Sequence, residues 1–422
     1  MKIFEHPNQK FGKLTTAELD NGLKIMIMEK KDYSSTYAVF ATKYGSIDTC
    51  FSVDNNPTIS VPAGIAHFLE HKLFESEEQD AFTRFSKTGA YANAYTTFDR
   101  TCYLFNCSSN FTENLKILLD FVQNPYFTEE TVQKEQGIIS QEIKMYQDNP
   151  GWRVLFNMLD KMFQEHPVKI DIAGTTDSIS KINAELLYQC YNTFYVPSNM
   201  CLCIAGNVNT AETLEFIDSA IKKSDIKTIN RIMPKDSCGV SSQYVEQELE
   251  VVGKIFCFGY KENWDTPIRS LRDKIVTDIM LEILCGDCSY LYKKLIDSNL
   301  INDEFSYDYF NGPDYAVVFF DGESCNPKLV AKEIDFEIQR LIEEGIDTRL
   351  FEAVKKSEFG DSIRGFENLD GIVSDMVESA FYSDDIFDSI NIIRDIKKDE
   401  IIRRLKGLKS QNAVLSIVKG KD

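Results

Sequence analysis

Four histidines occur in the chain, His6, His67, His71 and His166, and two of them stand four residues apart in His67-Phe68-Leu69-Glu70-His71. Successive residues of a helix turn by about 100°, so positions four apart lie roughly 40° from each other and face one point. Two imidazoles so placed suit a tetrahedral zinc ion, which in a catalytic site takes three protein ligands and keeps a fourth position for water. Glu70 follows His67 by one turn, where its carboxylate reaches that water as a general base, in the order HxxEH rather than HExxH. The chemistry implied is hydrolysis, with the ion polarising a carbonyl and the glutamate moving a proton. Ala66, Phe68 and Leu69 make this a packed helix. Two histidines and a glutamate among apolar neighbours are costly unless a metal or hydrogen bonds satisfy them.

A third ligand has to come from elsewhere. Apart from His166, the candidates are Glu135 and Glu142, on a helix predicted over Thr128 to Gln147. Seven residues are about 700°, close to two full turns, so both carboxylates share one face. One can bind the ion while the other supports its ligands, and spacing leaves open which does which. Ile138, Ile139 and Ile143 predict that the helix is partly buried. Thr128, Thr131 and Glu129-Glu130 supply capping and an acidic first turn, and Asp148-Asn149-Pro150-Gly151 stops it.

The elements that must position these groups follow from periodicity. Residues 13 to 29 alternate about Asn21-Gly22, a hairpin signal, and a strand covers Thr36 to Ala41. After the turn Asp54-Asn55-Asn56-Pro57, the motif helix runs from Ala63 to Glu75, and a short helix covers 79 to 87. Gly89 to Phe105 reads as two strands bent at Asp99-Arg100, and Phe111 to Val122 as an amphipathic helix. Helices over 152–164 and 183–194 precede a buried strand, Met200 to Ala205. Polar, aperiodic residues then give a linker at 226–246, between an N-terminal domain, 1–225, and a C-terminal one, 247–422. The second part repeats the order: strand Lys254 to Tyr260, helix Ser270 to Leu284, strands within 305–321, helices 327–343 and 347–359, and strand Ala413 to Val418. Two diverged copies of one α+β unit are expected.

A net charge of −20 argues against nucleic acid, which needs clustered Lys and Arg. No run reaches the roughly 18 apolar residues of a membrane span, and Met1 to Pro7 lacks the apolar stretch of a signal peptide. Eleven cysteines, odd in number and scattered, do not form a disulfide framework. Cys285-Gly286-Asp287-Cys288 reads as small buried thiols, and a reducing, cytoplasmic setting is expected.

His67-Phe68-Leu69-Glu70-His71 followed by Glu135 and Glu142 resembles the pitrilysin superfamily of inverzincins. Gly64 to Glu75, Gly137 to Tyr146, Gly89-Ala90-Tyr91-Ala92-Asn93-Ala94-Tyr95-Thr96 and Asp171-Ile172-Ala173-Gly174-Thr175 look like its YmfH-type bacterial branch. The resemblance spans nearly the whole chain. It implies a zinc metalloendopeptidase with two homologous α/β sandwich domains, of the LuxS and mitochondrial processing peptidase type, forming half of a clamshell. By residue match it implies one Zn2+ per chain on His67, His71 and Glu142, with Glu70 as base and Glu135 as assisting carboxylate. The strand holding Ala92, Asn93 and Ala94 would be an edge to which an extended peptide substrate adds. Many relatives carry an Arg in the second half, in a segment like Leu-Arg-Glu-Glu; here Leu295-Ile296-Asp297-Ser298 lacks it, leaving Tyr307 and Tyr309 as substrate-binding candidates. The second half has no histidine and would serve as a wall. The implied assembly is a homodimer, or a heterodimer with a related and inactive subunit. The rival reading, a non-catalytic subunit, is disfavoured by the intact motif.

Overall fold

The computed structural model describes residues 1–6, 11–54, 56–77, 79–262 and 270–421. Asn55, inside the expected turn at 54–57, lies outside the described residues.

The first unit comprises Met1–Ile143, Asp171–Met233 and Arg364–Phe387. Its main sheet has seven strands: β1 (Lys2–Glu5), β2 (Lys13–Glu18), β3 (Lys24–Glu29), β4 (Thr36–Thr42), β7 (Tyr91–Thr96), β8 (Thr101–Cys107) and β9 (Met200–Gly206). They lie in the order β1-β2-β3-β9-β4-β8-β7. β3 and β9 are parallel and the other pairs antiparallel. β5 (Cys50–Val53), β6 (Ile59–Ser60) and β10 (Ile229–Arg231) form a separate small sheet. Every residue of β4 and β9 is buried, so both faces of the sheet centre are covered. The covering helices are α1 (Ile65–Leu73), α2 (Ala81–Thr88), α3 (Phe111–Gln123) and the helix Leu369–Tyr382. α4 (Glu129–Asp148) belongs to this unit as far as Ile143.

The second unit comprises Lys144–Ile170, Pro234–Ile363 and Asp388–Asp422. Its sheet uses β11 (Tyr244–Glu248), β12 (Lys254–Lys261), β13 (Ser306–Asn311), β14 (Ala316–Glu323) and β15 (Ala413–Lys419), in the order β11-β15-β12-β14-β13. Here too one pair, β11 with β15, is parallel, and the others are antiparallel. Strand for strand, this is the arrangement β3-β9-β4-β8-β7 of the first unit, so the chain repeats one α+β unit. Phe256, Ile279, Met280, Leu284, Phe320 and Ile334 are central to its core.

The expected division at 226–246 contains the crossing point, between Met233 and Pro234, but two segments do not follow it. α5 (Pro150–Met162) packs on β12 and β15 of the second unit, and the helix Leu369–Tyr382 packs on β9 and β4 of the first. Lys24 and Lys43 donate their ammonium groups to the carbonyls of Ala380 and Phe381, at 2.6 and 3.1 Å. An apolar helix face shows that a helix must be covered, not which sheet covers it. The expected linker also carries β10 and the start of β11, so it is not wholly irregular.

Candidate metal centre

α1 begins without a side-chain cap. Gly64 is its N-cap, in the left-handed region at φ 91°. A Cβ on Gly64 would stand 2.5 Å from the Ala173 carbonyl oxygen, and one on Gly174, at φ 76°, would stand 2.5 Å from the Ala63 carbonyl oxygen. The two glycines therefore allow Ala63-Gly64 and Ala173-Gly174 to lie backbone against backbone. Ser178 fastens the joint, its hydroxyl donating to the Ala63 carbonyl at 2.7 Å. This is the structural role of the Asp171–Thr175 stretch: it fixes where the motif helix starts. Phe68 and Leu69 are fully buried, each contributing about 1.5–3 kcal/mol of burial, and they orient the histidine face.

The structure brings His67, His71 and Glu142 together, with ligand atoms all within 4.8 Å of one another. Nε2 of His67 lies 3.7 Å from Oε1 of Glu142, and Nε2 of His71 lies 3.5 Å from Oε2. Ligand atoms about 2.1 Å from a tetrahedral zinc are roughly 3.4 Å apart, so these donors would draw in somewhat to hold such an ion. Nδ1 of His71 meets Oε1 of Glu135 at 3.0 Å. An ionised carboxylate only accepts, so that nitrogen carries the proton and Nε2 offers its lone pair toward Glu142. The choice that spacing left open is thereby made by geometry: Glu142 stands in the ligand group and Glu135 behind it. His67 is buried, and its Nδ1 has no hydrogen-bond partner among the described residues. Among the apolar groups expected to bury α4, Ile139 and Ile143 are inside, but Ile138 is exposed.

Electrostatics separate the two imidazoles. Burial, with His71 beside it, lowers His67 to about 4. Burial also disfavours charge on His71, but Glu135, Glu70 and Glu142 outweigh it and hold its pKa above the ordinary histidine value. Glu135 is resisted by burial and held below the usual carboxylate range by His71. The pocket is a concentration of negative charge around two ring nitrogens, which a divalent cation neutralises.

Burial pushes the Glu70 carboxyl upward, opposed by a hydrogen bond from Thr96. The Thr96 hydroxyl donates to Glu70 Oε2 at 2.6 Å. Thr96 ends β7, an outer strand of its sheet. The Thr97 N–H bonds the Arg100 carbonyl at 2.8 Å, and antiparallel pairing alternates, so the backbone groups of Thr96, Ala94 and Ala92 point away from β8. Ala92, Ala94 and Thr96 are half-buried on the face toward α1, whereas Tyr91, Asn93 and Tyr95 are exposed on the other. Asn93 therefore does not share a face with Ala92 and Ala94; its Oδ1 instead accepts the Ala94 N–H at 2.9 Å and covers one outward donor. In the second unit, Asp308 Oδ1 likewise accepts the Tyr309 N–H, at 2.7 Å, on the outer strand β13.

Tyr307 and Tyr309 belong to the second unit. Tyr307 donates to Glu282 at 2.6 Å, while Tyr309 is buried, reaches Glu262 and lies under the Arg404 guanidinium, so packing accounts for Tyr309. His166, although it precedes the sequence midpoint, is also in the second unit, fully buried, with Nδ1 accepting the Val168 N–H at 3.1 Å. Cys285 is buried but Cys288 is exposed, and both are free thiols.

A motif helix and a carboxylate helix thus meet at one group of donors that could hold a metal ion, in a chain that repeats one α+β unit. Residues 60–176 match the insulinase model of peptidase family M16, and residues 181–358 match the model of the M16 inactive domain. The uncharacterized zinc protease YmfH of Bacillus subtilis is 39% identical over 390 residues, covering 91% of each chain. An uncharacterized zinc protease of Rickettsia bellii is 28% identical over 337 residues, covering 78% of each. The crystal structure of an M16-like peptidase from Alicyclobacillus acidocaldarius superposes with a TM-score of 0.94 at 33% identity, covering 99% of this chain and 100% of that one. The chain belongs to peptidase family M16.

Proposed function

We propose that this protein is a zinc-dependent endopeptidase acting on peptides or small unfolded polypeptides. The observation that carries the reading is the convergence of the two Nε2 atoms and the Glu142 carboxylate, beside a Glu70 carboxylate held in place by Thr96. His67, His71 and Glu142 would hold the ion, and Glu135 keeps His71 in the tautomer that binds it. When bound, zinc supplies Lewis acidity toward the scissile carbonyl and toward water. Glu70 takes the proton of the attacking water and passes it to the leaving amine. The outer strand β7 offers the backbone groups of Ala92 and the Ala94 carbonyl to an extended peptide, a main-chain pairing that would give broad rather than strict sequence preference. Processing of a peptide precursor in the cytoplasm is the role we favour.

A second chain, identical or related, completes the working enzyme in this reading. Its support is a fold neighbour: the periplasmic protease PqqL of Escherichia coli matches 99% of this chain with 48% of its own length, at a TM-score of 0.75 and 18% identity. The test pairs metal analysis with peptide hydrolysis. E70Q keeps zinc and loses turnover, whereas H71A and E142A lose zinc as well. Normal turnover by E70Q would sink the proposal, and zinc-loaded wild type without turnover, alone and with its co-purifying partner, would favour a non-catalytic subunit.

A further inference from the structure

Thr96 is the point where the outer strand and the motif helix touch through polar atoms. Its hydroxyl donates to Glu70 Oε2 at 2.6 Å and lies 3.4 Å from the Thr101 hydroxyl, which itself donates to the Tyr44 carbonyl at 2.9 Å. Thr101 and Tyr44 are buried, so this row of oxygens is anchored in the sheet rather than in solvent. A half-buried glutamate chain has three rotatable bonds, and nothing in its own helix selects the rotamer that faces the His67–His71–Glu142 group.

We infer that Thr96 is a positioning residue for Glu70: its hydroxyl, backed by Thr101 and the Tyr44 carbonyl, holds Oε2 so that Oε1 takes up the proton. The inference rests on the assignment of Glu70 as base. It also couples substrate docking to catalysis, because the strand that would receive the peptide also aims the base. Ala92 and Ala94, on the same face, carry no polar side chain, and within β7 Thr96 alone can do this on that side.

The experiment compares T96V, which removes the hydroxyl at nearly constant volume, with T96S, which restores it. Zinc content of both equals that of wild type, because no ligand is touched. T96V lowers kcat by about 10- to 100-fold, the cost of a misaimed reacting group, with KM changed less than about twofold. T96S recovers most of the loss. Unchanged kcat in T96V, a loss confined to KM, or T96S as impaired as T96V would each overturn the inference. Should wild type with zinc hydrolyse no peptide, the peptidase reading fails separately, and the cobalt-loaded protein decides on Thr96. The pH midpoint of its visible spectrum then moves in T96V in the same direction as in E70Q; a midpoint that moves only in E70Q overturns the inference.

Discussion

Glu135 accepts the Nδ1–H of His71 at 3.0 Å, from a position two turns before Glu142 on the same helix. One helix thus carries both the carboxylate that stands with the two histidines and the carboxylate that bonds the far ring nitrogen of His71. Replacing Glu135 by Ala leaves the three donors in place but frees the His71 ring. Such losses cost about 10- to 100-fold in metal affinity. Competition with a chelator of known affinity measures it; an unchanged zinc Kd in E135A would show that packing alone orients His71.

The meeting of Gly64 with Gly174 predicts that G174A disturbs the site from a distance. An L-residue at φ 76° is strained, and its Cβ would stand 2.5 Å from the Ala63 oxygen. The expected cost is about 2 kcal/mol or more, seen as a lower denaturation midpoint. Because the start of α1 has to shift, zinc affinity should fall as well, although no ligand is altered. A variant less stable but with unchanged zinc affinity would show that the joint supports only the fold.

Lys72, next to His71, is fully buried, and its ammonium pairs with Glu75, whose side chain is 29% exposed. The two ends of this pair are unequal. Removing Glu75 strands a buried cation, a loss of about 3–5 kcal/mol, whereas removing Lys72 leaves a carboxylate that water can reach. E75A should therefore destabilise far more than K72M in urea titrations of the metal-free protein. Equal losses would contradict the asymmetry.

In the second unit, Asp236 Oδ1 accepts the backbone N–H groups of Gln164, Glu165 and His166, at 2.8, 2.6 and 3.2 Å, and Oδ2 accepts from Lys261. Burial opposes the charge, but the Glu165 N–H and Lys261 outweigh it and hold Asp236 below the usual aspartate range. Lys261 is lowered in turn, because burial outweighs its partner. The Asp236 carboxylate is therefore ionised at neutral pH, and desolvation works against the charge on both partners. A depressed carboxylate binds fewer protons folded than unfolded, so its stabilisation is complete above pH about 4 and is lost as pH falls toward the folded value. D236N should lose about 3–5 kcal/mol at pH 7 and show a flatter stability profile below pH about 4 than wild type. A parallel profile would remove Asp236 from the acid response.

Local pattern revealed most elements. The motif helix, the Asn21-Gly22 hairpin, the helix carrying Glu135 and Glu142, and the repeated strand order all follow from periodicities of two and 3.6. Those periods act over a few residues, so they could place His67 and His71 on one face, and Glu135 and Glu142 on another. They could not say that the two faces meet, nor which glutamate stands in front. The Gly89–Thr96 stretch was visible as a strand, but the contact of Thr96 with Glu70 joins residues 26 apart and has no periodic signal.

By itself, then, the amino-acid sequence determined the candidate donors, the helix that carries Glu70 and the duplicated α+β plan, because periodicity and spacing reveal each. Spacing left open which glutamate joins the histidines; the family resemblance implied Glu142, and the tertiary structure places Glu142 beside them with Glu135 behind. It also assigned residues 144–170 and 364–387 to units other than their sequence neighbours. The physical reason is the same in each case. An amphipathic helix or a pair of carboxylates states what it needs, but the partner that supplies it is chosen by packing between segments far apart in the chain.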